Sequence, residues 1–429
     1  MEALFVDPAL VKTTLDSSQI SLEWIIQNLE VNDPQFNKLR NGSKIQEVTY
    51  FDVSNGKGYV SRVYKTTITF DNVEIKPYQC IVKIPTSDCL SEGVSEDIVK
   101  NTKETDEQNA QFVAIAHNRE VLFYNTYKDI AGLKIPKCYG TKECIYQKQD
   151  GALIMELLGS NYSHVEFSKS LTLSQARMLL DQLNHLQSYF FTLPNQDWKE
   201  SFNFTIDIDQ YDIFRPVMDI NWETIKSFLS PDLTDHLDDY VAALSDNYIK
   251  LANYVVKDLP REEGNTISIV HGDMHNNNCM FRNDSYGNPS DNPVILDWQI
   301  MYAGSVGADL ARFLCFGTSP DVRREIETNS FPKYYQTLQN NISKKGHKFD
   351  MTWEMFMRNY ELSFIDQSMQ LVICLGFLLR LDEIPKDCEI WNARKFLIGT
   401  KILFTLKQAI EYAKKHKPEW LIRKEIPKH

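Results

Sequence analysis

Strand-like alternation dominates the first third of this chain, and helical periodicity dominates the rest. Residues 17–29 (SSQISLEWIIQNL) place apolar side chains at helical spacing and predict a short amphipathic helix. From about Lys44 to Ile84 the pattern predicts strands at Ile45–Val53, Val60–Phe70 and Gln79–Ile84. These runs are rich in Val, Ile, Thr and aromatic residues, and Asn55-Gly56 and Asp71-Asn72 supply turns. The polar, Ser-rich residues 85–108 predict a loop. Gln111–Tyr127 then predicts a helix, and Cys144–Gln147 with Ala152–Leu157 a further strand pair.

After Leu158 the periodicity is mostly helical. Thr172 and Gln175 form a capping box ahead of an apolar stripe at Leu179, Leu183, Leu186 and Phe190. Two short strands interrupt the helices, Thr266–Val270 and Val294–Leu296, joined by a polar turn region around Gly287–Pro293. Long helices follow at Trp353–Leu379 and Trp391–Lys415. The order predicts an α+β chain in three parts. Residues 1–43 are a helical extension, 44–157 a lobe built on an antiparallel sheet, and 158–429 a larger, mainly helical lobe with one embedded hairpin. Clefts between unequal lobes commonly hold ligands.

Composition narrows the function. Hydrophobic residues make up 43% and charged residues 24% of 429 positions, ordinary for a globular chain. The formal charge is 46 − 58 = −12, which gives no footprint for nucleic acid. Met1–Leu15 has no basic stretch and does not read as a signal peptide, and the longest apolar run, Gln370–Arg380, is too short to span a membrane. The eight cysteines form no C-x-x-C pair and no cluster with His, so free thiols in the cytoplasm are expected, without membrane attachment.

The sharpest chemical signal is Val270-His271-Gly272-Asp273-Met274-His275-Asn276-Asn277-Asn278, followed later by Leu296-Asp297-Trp298-Gln299. A predicted strand runs into His-Gly-Asp, an Asn follows five positions after the Asp, and a second predicted strand ends in an Asp. Phosphoryl transfer needs such a set. Mg²⁺ keeps its waters and phosphates, so one carboxylate and one amide oxygen suffice from the protein; Asp297 and Asn278 fill those places. Asp273 is then the carboxylate that accepts the proton of an attacking hydroxyl. Asp, Asn and Gly collect in any turn, and it is the combination of spacings that carries weight here.

The preceding part supplies the complement. Cys80-Ile81-Val82-Lys83-Ile84 puts a Lys inside an apolar strand, where it needs a charged partner, and Glu120 in the following helix is the candidate. Such a Lys can hold the α- and β-phosphates of ATP. Gly56-Lys57-Gly58-Tyr59-Val60-Ser61 sits at a strand–turn–strand junction, where Gly56 and Gly58 allow close approach to phosphate and Ser61 offers a hydroxyl. Downstream, Gly304-Ser-Val-Gly-Ala-Asp309-Leu-Ala-Arg312-Phe-Leu314 opens an apolar helix. Asp309 can accept hydrogen bonds from the 271–273 backbone and brace the base.

On these residues the chain resembles the ecdysteroid kinase-like (CHK kinase-like) family, in the aminoglycoside/choline phosphotransferase group of the protein-kinase-like fold. The carriers are GKGYVS at 56–61, IVKIP at 81–85, NREVLFY at 118–124, HGDMHNNN at 271–278, ILDWQ at 295–299 and GSVGADLARFL at 304–314. The last two together resemble the nematode branch more than the insect branch. The resemblance implies a bilobal protein-kinase-like fold and an ATP-dependent enzyme using Mg²⁺. Asp273 would be the base, Asn278 and Asp297 the metal ligands, Lys83 the phosphate-binding residue with Glu120 as its partner, and Gly56, Gly58 and Ser61 the phosphate loop. The backbone of Glu156–Leu158 would meet the adenine. Tyr59-Val60 stands where the family often has an Asn before the Ser, and Met274 where it usually has Leu.

The expected acceptor is a hydroxyl on a small metabolite, a steroid-like or xenobiotic alcohol. Two alternatives stand beside it. A cationic alcohol of the choline or aminoglycoside type would suit the acidic, aromatic stretch Asp197–Asp212 (DWKESFNFTIDIDQYD). A catalytically silent nucleotide-binding pseudokinase is the other, although every catalytic position is filled. A protein kinase is disfavoured by HGD in place of HRD and by the lack of an A-P-E segment after Asp297.

Overall fold

The computed structural model describes residues 4–54, 60–87, 106–204, 208, 214–379 and 388–423. The chain forms two compact units: residues 1–129, 135–160 and 297–300 in the first, and 130–134, 161–296 and 301–429 in the second. The class is α+β, with an antiparallel sheet in the first unit and a larger, mainly helical second unit.

In the first unit, α1 (Leu22–Asn32) and α2 (Pro34–Arg40) precede β1 (Ile45–Asp52), β2 (Ser61–Phe70) and β3 (Tyr78–Pro85). Helix α3 (Asp106–Thr126), β4 (Cys138–Lys142) and β5 (Ala152–Glu156) complete it. The five strands are all antiparallel, in the order β1-β2-β3-β5-β4. Helix α1 starts later than the apolar spacing predicts. Residues 15–20 turn back on themselves, with the Leu15 N–H donating to the Ile20 carbonyl, and Ser21 caps the helix at the Trp24 N–H. Asp33 caps α2 and also accepts from the Tyr78 hydroxyl at 2.7 Å. Ile26, Leu29 and Phe36 share one buried core with Ile68, Val82 and Ile154. Residues 4–43 are thereby part of the sheet's own core.

The predicted strand at Cys144–Gln147 is a tight turn. Ile145 and Gln149 bridge, and Gln147 takes a positive φ of 57°. The partner of β5 is instead β4, whose Gly140 and Thr141 hide it from a propensity reading. The predicted glycine-loop positions Gly56 and Gly58, and most of the 85–108 loop, lie outside the described residues.

In the second unit, β6 (Tyr162–His164), β8 (Cys279–Asn283) and β9 (Pro289–Ile295) make one small sheet, and β7 (Ser268–Val270) pairs with β10 (Tyr302–Gly304). This corrects the sequence reading, which joined Thr266–Val270 to Val294–Leu296. The hairpin is β8–β9, with Cys279 opposite Ile295. Its first strand is short and follows a run of Asn, and the first half of β9 is polar, so neither shows as an apolar run. Helix α4 (Leu173–Phe191) carries the expected capping box at Thr172 and Gln175, and its stripe is buried. Helices α5 (Ala308–Gly317), α6 (Trp353–Ile373) and α7 (Glu389–His416) complete the parts that matter below. The predicted Trp353–Leu379 helix breaks at Cys374, and a short helix follows at Leu375–Leu378. Among the described residues, no helix is long and apolar enough to cross a membrane.

Candidate active site

Lys83 sits in β3 with its side chain turned to the face covered by α3. Its ammonium lies 2.6 Å from Glu120 Oε2 and 2.5 Å from Asp297 Oδ1. Glu120 is 1% exposed, and its other oxygen accepts from the Trp298 N–H at 3.3 Å. The Trp298 ring stacks on Phe123, one turn along α3, with centroids 4.1 Å apart, which fixes the Asp297-Trp298 backbone to the helix. Burial alone would depress the Lys83 ammonium, but Asp297 and Glu120 outweigh it and hold Lys83 above its ordinary value, fully charged. Burial raises the Glu120 carboxyl against the pull of Lys83, and the neighbouring Asp297 adds to the rise. Glu120 and Asp297 thus share one ammonium.

Asp297 takes a left-handed backbone conformation, φ 64°, which Asp tolerates better than most residues. Its side chain is 25% exposed, and Oδ2 accepts from Gln299 Nε2 at 3.1 Å. A strained, part-exposed carboxylate following a strand is a common signature of a functional position.

In the second unit the HGD turn is built by β7 and braced from α5. Asp309, 1% exposed, accepts from the His271 N–H at 2.7 Å and the Gly272 N–H at 3.0 Å. Gly272 has φ 89°, a conformation a β-carbon would strain. The buried His271 ring reaches the Leu296 carbonyl at 2.9 Å, tying the turn to the end of the β8–β9 hairpin. Asp273 follows. Its Oδ2 accepts from Asn278 Nδ2 at 3.0 Å, and the same amide nitrogen donates to the Asp273 carbonyl. That leaves the Asn278 amide oxygen for another ligand. The Leu296 N–H donates to the Asn278 carbonyl at 2.9 Å, so the hairpin closes directly behind Asn278, and the next residue in the chain is Asp297.

Three features were not assigned from sequence. Arg312 donates to Asp273 Oδ1 at 2.6 Å, and His275 Nε2 lies 3.2 Å from the same oxygen. Burial pushes the Asp273 carboxyl up, but His275 and Arg312 pull it far below the usual carboxylate range. Asp366, on α6, anchors two glutamines that hold Arg312, and burial pushes its carboxyl up to about 7. Arg312 lies three positions after Asp309 on the same helix, but that spacing does not name Asp273 as its partner.

The remaining expected residues lie in the first unit. Ser61 opens β2, buried and opposite Pro85. Glu156 closes β5, and Oε2 accepts from the Lys137 N–H at 3.2 Å. Leu158 follows, half-buried. The structure thus brings Lys83, Glu120 and Asp297 together in one unit, and Asp273, Asn278 and Asp309 together in the other.

A family model described as DUF1679, "Uncharacterized oxidoreductase dhs-27", matches residues 23–390. The chain belongs to this family. Two relatives come from Caenorhabditis elegans. "Uncharacterized oxidoreductase dhs-27" is 26% identical over 395 residues, 88% of this chain and 46% of that protein, so the chain spans less than half of its length. "Uncharacterized kinase-like protein D1044.1" is 20% identical over 355 residues, 81% of this chain and 88% of the relative. Among solved structures, the GDP complex of aminoglycoside 2'-phosphotransferase-IIIa aligns at a TM-score of 0.40 and 11% identity, covering 87% of this chain and 98% of that one. Plasmodium vivax ethanolamine kinase aligns at 0.36 and 11%, covering 91% of each.

Proposed function

We propose that this DUF1679 member is an ATP-dependent small-molecule kinase, transferring the γ-phosphoryl group of ATP to the hydroxyl of a small metabolite, a steroid-like or xenobiotic alcohol. The observation that carries the reading is the buried Lys83, held between the helix residue Glu120 and the hairpin-end residue Asp297. A kinase site uses a Lys–Glu ion pair with a metal-binding Asp nearby, and Lys83, Glu120 and Asp297 are the matching residue types within contact of one another. The kinase-like name of the second relative points the same way.

The roles follow from the chemistry of each group. Lys83 takes the α- and β-phosphates, with Glu120 fixing its rotamer. Ser61 covers the phosphates, and the backbone at Glu156–Leu158 meets the adenine. Asp273 orients the acceptor hydroxyl. His275 and Arg312 hold its carboxyl below the usual carboxylate range, so it is a weak base that receives the proton late, when the hydroxyl oxygen has begun to bond to phosphorus. A loose transition state asks for no more.

The residues also fit Mg²⁺. Among the described residues there is no group of three or more His, Cys, Asp or Glu that could hold a metal ion. Mg²⁺ needs fewer protein ligands than that, because it keeps water and phosphate oxygens. A carboxylate oxygen of Asp297 and an amide oxygen of Asn278 are the kinds of hard donor it would take. When bound, Mg²⁺ would neutralise the charge that develops on the phosphates.

The oxidoreductase name of the longer relative is not carried over. The chain matches 46% of that protein and contains no G-x-G-x-x-G, and its sheets are antiparallel. Seven cysteines among the described residues are free, which suits a cytoplasmic enzyme. The test is a screen of hydroxylated metabolites with purified protein and MgATP, read by the mass gain of one phosphate. A hit that disappears in Asp273→Asn supports the reading. MgATP binding without any phosphorylated product sends it to the pseudokinase alternative.

A further inference from the structure

We propose that Arg312 is the positioning residue on the acceptor side of this site, and that its guanidinium occupies the aromatic seat an ammonium-bearing acceptor would need. The proposal rests on the phosphotransfer reading above.

Arg312 is almost wholly enclosed, with 8% of its side chain exposed. One terminal nitrogen, Nη2, donates to Asp273 Oδ1 at 2.6 Å, and the other, Nη1, donates to Gln370 at 2.8 Å and Gln367 at 3.1 Å. Both glutamine amides donate in turn to Asp366 Oδ2 at 2.9 Å. The guanidinium is therefore fixed at both ends, and the Asp273 carboxylate has its rotamer fixed with it. Asn278 accounts for the second carboxylate oxygen, so the base presents one geometry to the incoming hydroxyl.

The same guanidinium lies over the ring of Phe316, 3.9 Å from its centroid, and His275 stacks on that ring at 6.0 Å. An aromatic face beside a carboxylate is how proteins hold quaternary ammonium groups, and the Phe316 ring, 1% exposed, is closed by Arg312. Here the face and the carboxylate are both taken by a cation the protein supplies itself. A second positive charge at about 6 Å from the guanidinium, in an effective dielectric of about 20, meets a repulsion worth up to about a hundredfold in affinity, part of which Asp273 offsets. Of the acidic stretch expected to receive a cation, Asp197 is tied to Asn195, Trp198 is buried and Glu200 is exposed, while Asp207, Asp209 and Asp212 lie outside the described residues.

Two isosteric alcohols separate charge from shape, choline and its neutral carbon isostere dimethylbutanol. ADP release and phosphorylated alcohol are measured with MgATP for wild type, Arg312→Gln and Arg312→Lys, with and without each alcohol. Wild type should use the neutral alcohol at least about tenfold better in kcat/KM. In Arg312→Gln, kcat should fall for both alcohols while the preference shrinks towards one. Arg312→Lys should keep the preference but not the full kcat, because the ammonium retains the charge and loses the fork. A purely structural Arg312 would lower both alcohols alike, so an unmoved ratio in Arg312→Gln overturns the proposal. Should that variant not fold, a wild type that prefers choline, or a Lys variant that loses the preference, overturns it instead. ADP release that neither alcohol stimulates overturns the acceptor role of Arg312 and leaves phosphotransfer standing; no ADP release in any arm overturns the kinase reading itself.

Discussion

Replacing Glu120 by Leu removes one of the two carboxylates around a lysine that has almost no contact with solvent. Breaking a buried ion pair from one side costs about 3–5 kcal/mol, because the remaining charge is left uncompensated. Lys83 keeps Asp297 at 2.5 Å, which places the loss at the lower end, about 3 kcal/mol, including about 1 kcal/mol for the Trp298 N–H that loses its acceptor. Lys83→Met should cost a similar amount, since it leaves Glu120 and Asp297 facing each other without a cation. The double variant Lys83→Met/Glu120→Leu replaces the pair with apolar groups of comparable volume, and such exchanges are often close to neutral. Its cost should fall short of the sum of the two single costs by about 2–3 kcal/mol. Urea unfolding of the four proteins, followed by circular dichroism, gives the coupling directly. Costs that add within about 0.5 kcal/mol would show that Lys83 and Glu120 do not interact, and the nucleotide site would lose its anchor.

Asp273→Asn should lower kcat by about 10²–10⁴-fold with little change in MgATP affinity; loss of MgATP binding in calorimetry would instead place Asp273 among the metal ligands. Asp309→Ala leaves two backbone N–H groups of the HGD turn without an acceptor, so it should destabilise by at least about 2 kcal/mol in urea unfolding, with Asp309→Asn recovering part of that. His117 is buried and donates to the Lys142 carbonyl, and burial lowers its pKa to about 4. The folded state therefore binds fewer protons than the unfolded chain between about pH 6.5 and 4. Stability is present above that window and is lost as pH falls through it, by up to about 3 kcal/mol from this residue; His117→Gln should flatten the urea midpoint over the same range.

The lysine in an apolar strand was legible because burying a charge is expensive, and the same logic pointed to Glu120 as its partner. Asp309 was legible for a related reason: a carboxylate at the start of a buried helix needs donors, and the HGD turn has them. The hairpin was read wrongly because β8 follows a run of Asn and has only Cys279 and Phe281 to show as core. The polar half of β9 pairs through its backbone and through the Arg282–Asp291 ion pair, neither of which shows as an apolar run. Strand β4 escaped because Gly140 and Thr141 carry little strand signal. Arg312 was quoted inside a motif without a role, since its partner lies 39 positions away and its glutamine supports lie on another helix. Long-range polar networks of this kind leave no local periodicity.

The central claim is that the γ-phosphoryl group of ATP passes to an alcohol with Asp297 in the site. Single-turnover transfer of γ-labelled ATP to a hydroxyl compound found in the screen tests it most directly, with wild type and Asp297→Asn compared at saturating Mg²⁺. The account predicts label on the alcohol in wild type, abolished by chelation of the metal and slowed by at least about 10²-fold in Asp297→Asn. Equal transfer by the two proteins, or label appearing only as inorganic phosphate, would contradict it.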